Sequence, residues 1–100
     1  MAATLTVLYT VPDDPEAFDK HYHDVHLPLV RRWPRIESAE LTRVETTMGG
    51  ENKYHLMTHI RFADRETLDA ALAGEAGQEA GRDFRSVAPA GSFMIIGRTD

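Results

Sequence analysis

Strict two-residue alternation in some segments and helical spacing in others predict an α+β chain with elements in the order β-α-β-β-α-β. Three observations carry that order. Thr4–Val11 and Tyr54–Phe62 alternate cleanly, an aspartate opens a helical pattern after each of them, and a glycine-marked turn separates two central strands.

In Thr4–Val11, Leu5, Val7, Tyr9 and Val11 share one face and Thr4, Thr6, Leu8 and Thr10 the other. Asp14-Pro15-Glu16 then suits an N-cap followed by a proline at the first helical position, where its missing N–H costs nothing. The helix runs from Asp13 to about Arg32, with Phe18, Tyr22, Val25 and Leu29 as its buried stripe and Trp33-Pro34 as its terminator. Ile36–Thr46 reads as a second, partly exposed strand. Met48-Gly49-Gly50-Glu51-Asn52 is the turn to Tyr54–Phe62, so these two strands form an antiparallel hairpin. In the third strand Tyr54, Leu56, Thr58, Ile60 and Phe62 share one face, with His55, Met57, His59 and Arg61 opposite.

Asp64 caps the next helix, with Leu68, Ala71 and Leu72 inward. Gly74 interrupts it, and Glu75 to about Val87 resumes with Ala76, Ala80, Phe84 and Val87 buried. Ser92–Arg98 is the last strand, apolar on both faces (Phe93 and Ile95 against Met94 and Ile96), which calls for cover on both sides. This is the split βαβ arrangement of ferredoxin-like folds: an antiparallel sheet with helices on one face. The other sheet face also carries apolar groups, and sheet-to-sheet pairing of two copies would cover them, so a homodimer is expected.

One hundred residues, 42% apolar and 27% charged, suit one ordinary globular domain. A net charge of −5 and the lack of a clustered basic face argue against nucleic acid. No cysteine is present, which removes disulfides, thiolate nucleophiles and cysteine metal sites together. Met1-Ala2-Ala3-Thr4 has no basic n-region and no long apolar run, so no membrane association is expected and a cytoplasmic location is.

Five histidines invite a metal reading. His23 and His26 stand three apart on a helix but need a third ligand, and Asp24 points elsewhere. His55 and His59 would lie roughly 13 Å apart on a strand, and His21 and His23 point about 200° apart on a helix. No metal site and no cofactor are expected.

His26 is the better candidate for chemistry. It flanks the buried stripe and lies two residues before Pro28, which disfavours a helical Leu27 and predicts that the helix ends or kinks there. An imidazole at a pocket edge with an anchored backbone suits proton transfer near neutral pH. The alternative is a helix-terminal histidine meeting carbonyl groups and the negative end of the dipole. Tyr9, Trp33, Tyr54, Phe62, Phe84 and Phe93 come from elements that meet between helices and sheet, and a cleft lined by them would take a flat apolar ligand. No serine elbow and no phosphate cradle are present.

The run Tyr22-His23-Asp24-Val25-His26-Leu27-Pro28-Leu29-Val30 resembles the most specific motif of the EthD family, in the dimeric α+β-barrel superfamily. The opening Val7-Leu8-Tyr9, Pro12 and Asp14-Pro15-Glu16-Ala17-Phe18 are similar to it as well. So are Glu75-Ala76-Gly77-Gln78-Glu79-Ala80, the Asp83-Phe84 region and the ending Gly91-Ser92-Phe93-Met94-Ile95-Ile96-Gly97, though Asp83 here directly precedes Phe84. The resemblance implies residues 1–100 as one EthD-like domain, a ferredoxin-like protomer and a homodimer with sheets packed face to face. It carries a proton-transfer role onto His26, with Tyr22 beside it as the second catalytic residue. The family takes its name from a protein associated with ethyl tert-butyl ether degradation, and the wider superfamily includes isomerases, cyclases, cofactor-free monooxygenases and haem-handling proteins.

The expected function is binding of a small lipophilic ring compound in the helix–sheet cleft, with cofactor-independent isomerase, cyclase or monooxygenase-like chemistry in a degradation or biosynthetic pathway. The alternatives are a non-catalytic accessory binder supporting an oxidative degradation system, and a haem-binding protein.

Overall fold

Strand β1 (Ala2–Thr10) is an inner strand of a four-stranded antiparallel sheet of order β2-β3-β1-β4, in a computed structural model that describes residues 1–100. Its partners are β2 (Ser38–Arg43), β3 (Tyr54–Phe62) and β4 (Phe93–Thr99). The first helical segment is α1 (Pro15–His21), a π-helical turn (Tyr22–His26) and α2 (Leu27–Arg31); the second is α3 (Arg65–Ala73) and α4 (Glu75–Val87). All helices cover one face, so the fold is the ferredoxin-like α+β arrangement. No helix is long and apolar enough to cross a membrane.

The caps form where the sequence puts them. The Asp14 carboxylate accepts from the Ala17 amide at 3.1 Å, with Pro15 at the first helical position, and Asp64 accepts from the Thr67 amide at 2.8 Å. Each satisfies an N–H that helix geometry leaves without a partner. Strand β2 is shorter than Ile36–Thr46, although Glu37 and Val44 still donate to Arg61 and His55 carbonyls beyond its ends.

The helix does not stop before Pro28. Leu27 keeps helical angles (φ −59°, ψ −42°), and its amide bonds the Tyr22 carbonyl five residues back. The proline ring crowds the preceding turn and offers no N–H, and the wider turn just ahead of it accommodates both defects. The extra residue also changes the buried stripe. Phe18, Tyr22, His26, Val30 and Trp33 point inward, whereas Val25, expected in the core, is 43% exposed.

A second irregularity corrects the faces of β3. The pairing with β1 shifts between Tyr9 and Thr10: Tyr9 faces Leu56 and Thr10 faces Tyr54, leaving His55 as the extra residue of a β-bulge. Tyr54 therefore turns away from Leu56 and packs against Phe93 at 6.2 Å, while His55 lies against Phe18 at 5.8 Å.

The core sits between helices and sheet. Leu5, Val7 and Tyr9 of β1 and Leu56, Ile60 and Phe62 of β3 meet Phe18, Tyr22, Val30, Trp33, Leu68, Ala71 and Ala80. Gly77 lets α4 press on the end of α3: a Cβ there would collide with the Ala71 carbonyl oxygen and lie 2.7 Å from that of Leu72. The cover expected for β4 is not supplied within the chain, since Phe93, Met94, Ile95 and Ile96 are all exposed.

Candidate functional site

The π-helical turn aims His26 into the core, where the ring is almost fully buried beside Tyr22, 5.3 Å between centroids. Both ring nitrogens have partners. Nδ1 lies 2.8 Å from one Asp83 oxygen, and Nε2 lies 3.4 Å from the Tyr9 hydroxyl. With Asp83 ionised, Nδ1–H donates to it, which leaves Nε2 as the acceptor for the phenol. The other Asp83 oxygen meets His21 Nε2 at 2.8 Å. One carboxylate on α4 thus bridges a buried histidine and a half-buried one.

Burial lowers the His26 pKa below its ordinary value, and the hydrogen bond and charge of Asp83 only partly oppose this. Neutral imidazole is therefore the form at neutral pH. Tyr9 is held far above the usual phenol range, first by burial and then by Tyr22 and Asp83. It stays a donor. Tyr22 is also raised by burial, against the opposing hydrogen bond of its hydroxyl to Thr58 Oγ1 at 2.6 Å. No buried side-chain polar atom lacks a partner.

His26 and Tyr9 open onto a largely apolar cavity of about 50 Å³. Leu5, Val7, Thr58 and Ile60 form the sheet wall, Val30 and Trp33 one helical wall, and Leu72, Ala80 and Phe84 the other, with Met94 at its edge. Gly77 and Gly81 keep the α4 wall thin. On the far side of α2 a larger groove of about 590 Å³ runs toward β2, with Tyr22, Val30, Trp33 and Thr58 in its wall.

Of the residues singled out in the sequence, His26, Tyr9, Trp33 and Phe84 come together on the small cavity. Tyr22 reaches it through Thr58. Phe62 is fully buried behind it, stacked on Trp33 at 6.4 Å, and does not line it. Tyr54 and Phe93 pair with each other away from both spaces, because the bulge turns Tyr54 out of the helix-facing row. Asp83 was not singled out as a site residue. It lies 57 residues from His26 in the chain, and its only local signal was the acidic position preceding Phe84 in the EthD-like region. Thr58 shares a strand face with Leu56 and Ile60 in the sequence pattern, but nothing in that pattern pairs its hydroxyl with Tyr22.

A four-stranded antiparallel sheet with helices on one face defines a ferredoxin-like α+β protein, here with a histidine buried between the two layers. Residues 5–99 match the family model of the REDY-like protein HapK. An EthD (ethyl tert-butyl ether) family protein from Bacillus halodurans is 33% identical, covers 100% of both chains and superposes with a TM-score of 0.92. The chain belongs to the REDY-like HapK family by the first match and to the EthD family by the second, as the helix motif implied. It is also 29% identical over 92 residues to an uncharacterized 11.0 kDa protein in the thcB–thcC intergenic region of Rhodococcus erythropolis, covering 92% of this chain and 89% of that one. The cofactor-independent oxygenase SnoaB from Streptomyces nogalater shares the fold, with a TM-score of 0.72 at 15% identity over 98% of this chain and 92% of its own.

Proposed function

We propose that this protein is a cofactor-independent enzyme that moves a proton on a small lipophilic ring compound, with His26 as the base. One observation carries the reading: a buried imidazole on the wall of an apolar cavity, its Nδ1 held by a carboxylate and its Nε2 beside the Tyr9 hydroxyl. Nε2 takes a proton from carbon next to a ring carbonyl; the C–H electron pair becomes the carbon–carbon double bond of an enolate, and the carbonyl π pair moves onto oxygen. Asp83 fixes the tautomer and offsets the charge on the imidazolium. The Tyr9 hydroxyl, which donates to Nε2 at 3.4 Å in the free protein, turns to the enolate oxygen and so frees Nε2 to act as the base. Tyr22 orients Thr58 as a second donor. Return of the proton to a different carbon completes an isomerisation. In SnoaB, a fold relative, the oxygenase chemistry is likewise cofactor-independent.

A cavity of roughly 150 Å³ is needed to take benzene, so at about 50 Å³ this one admits the reacting edge of a ring while the rest extends past Phe84 and Met94. The protein acts as one cytoplasmic domain, and two copies pair through the open sheet face. Phe93 and Ile95, exposed on that face opposite Leu8 and Thr6, support that pairing.

Trp33 is the only tryptophan and lies on the wall shared by the cavity and the larger groove, so its fluorescence reports binding, and exchange at the ligand's carbon assigns that binding to His26. The test titrates lactones, quinones and phenols by this signal and follows deuterium exchange at their acidic carbons. His26→Ala should retain the melting profile of a folded protein and lose roughly 10²–10⁴ in exchange rate. Asp24→Asn, at an exposed site on the same helix, should lose nothing. Saturable binding with no exchange above the solvent rate would identify an accessory binder and overturn the enzymatic reading.

A further inference from the structure

The groove between α2 and β2 shares Val30, Trp33 and Thr58 with the His26 cavity as a common wall, but His26 does not line it and its chemistry is different. Its volume of about 590 Å³ falls within the range that encloses small organic ligands. Leu27, Ile36 and Leu41 give it an apolar lining, and the Arg31 and Arg35 side chains border it. Neither guanidinium has an ion-pair partner, which among the other arginines is true only of Arg82 and Arg85 on α4; Arg32, Arg43, Arg61, Arg65 and Arg98 are all paired with carboxylates. Asp64 feels the charge of Arg35 without bonding to it. In a chain of net charge −5, two unpaired cations beside one apolar trough are an uneven placement. Glu40 is the one carboxylate at the groove, which leaves a surplus of one positive charge.

Arg35 also has φ +61°, the one non-glycine residue in the left-handed region. A long unbranched side chain gains nothing there from its own backbone. The chain turns there, after Pro34, with Ile36 packed against the core and Arg35 on the groove wall. Strain of this kind persists only where the surroundings enforce it.

We propose that this groove is a second ligand site, for a monoanionic aromatic carboxylate. The ring lies on Leu27, Ile36 and Leu41, and the carboxylate meets Arg31 and Arg35, whose forked donors match its two oxygens. The surplus of a single charge selects a monoanion over a dianion. The site does not depend on the reading of His26.

The test uses the whole protein with methyl-labelled Leu and Ile, titrated with 2-naphthoate and with its neutral counterpart 2-naphthalenemethanol. Naphthoate should shift the Ile36 and Leu41 methyls saturably, and the alcohol should bind at least about fivefold more weakly. The Arg31→Gln/Arg35→Gln double variant changes two exposed side chains and should weaken naphthoate about tenfold, removing its preference over the alcohol. His26→Ala should leave naphthoate affinity unchanged, so a failure of the proton-transfer reading leaves this result intact. Equal affinity for acid and alcohol, shifts confined to Leu72 in the other cavity, loss of binding in His26→Ala, or no saturation at millimolar ligand would each overturn the proposal.

Discussion

His26 and His55 each meet an aspartate at 2.8 Å, and each arrives there through an irregularity in its own element. The π-helical turn carries His26 onto the buried stripe, and the β-bulge turns His55 onto α1. The outcomes differ because of what surrounds each pair. Asp19 also binds Arg43 at 3.0 Å, and these partners hold its carboxyl below the usual range against the opposing effect of its partial burial. His55 uses Nε2 for that contact and lies beside Phe18, tying β3 and β2 to the first helix. His26 spends Nδ1 on Asp83, has only a neutral phenol at Nε2, and lines a cavity. A histidine–carboxylate distance therefore says little about function. Which nitrogen remains, and what space it faces, says more.

Replacing the two aspartates should separate the roles most sharply. Asp83→Ala removes the only partner of a buried Nδ1–H and should cost about 1–3 kcal/mol in stability. It should also slow proton exchange about 100-fold, because the tautomer is no longer fixed. Asp19→Ala breaks contacts that are partly solvated, should cost about 1 kcal/mol or less, and should leave exchange alone. Denaturant melts and the exchange assay on both variants check this. Equal rate losses would remove the distinction drawn between the pairs.

Acid should act on the buried pair in a defined direction. The folded-state pKa of His26 lies below the unfolded value near 6.5, so between the two values the unfolded chain binds more protons. The stability contributed by neutral His26 is complete above the unfolded pKa and is lost as pH falls through 6.5 toward the folded pKa. Tyr9, Asp83 and His21 face the same group, and Tyr9 remains protonated throughout this window. Melting temperature should thus drop between pH 7.5 and pH 5, and the drop should shrink in His26→Gln. A steeper drop in the variant would show that His26 is not the group that titrates unfavourably.

The sequence disclosed the fold and both helix caps because those depend on local patterns. Asp14-Pro15 and Asp64 satisfy amides three residues away, and alternation along β1 reads directly as two faces. The two irregularities were hidden for one physical reason: each inserts a single residue and shifts the period of everything beyond it. Pro28 did signal a disturbance, but whether a proline ends a helix or widens it depends on tertiary packing. Here Val30 and Trp33 continue into the core, and burying them favours continuing the helix. The site was legible to the same extent. His26 and Tyr9 sit on recognisable elements, whereas Asp83 joins them only when α4 folds back across 57 residues of chain.

The smallest expected effect tests the shifted stripe. If the first helix kept regular α-helical phase, Val25 would share the buried row with Phe18 and Tyr22, and Val25→Ala would remove two methyl groups from the core at about 2 kcal/mol. With the π-helical turn in place, Val25 is 43% exposed and His26 occupies the inward position. The same substitution then loses little burial and replaces a β-branched residue with the best helix former. These terms oppose each other, so stability should change by less than about 0.5 kcal/mol. Chemical denaturation resolves the two outcomes easily. A loss near 2 kcal/mol would return Val25 to the core and displace His26 from the buried stripe, which the proton-transfer reading requires.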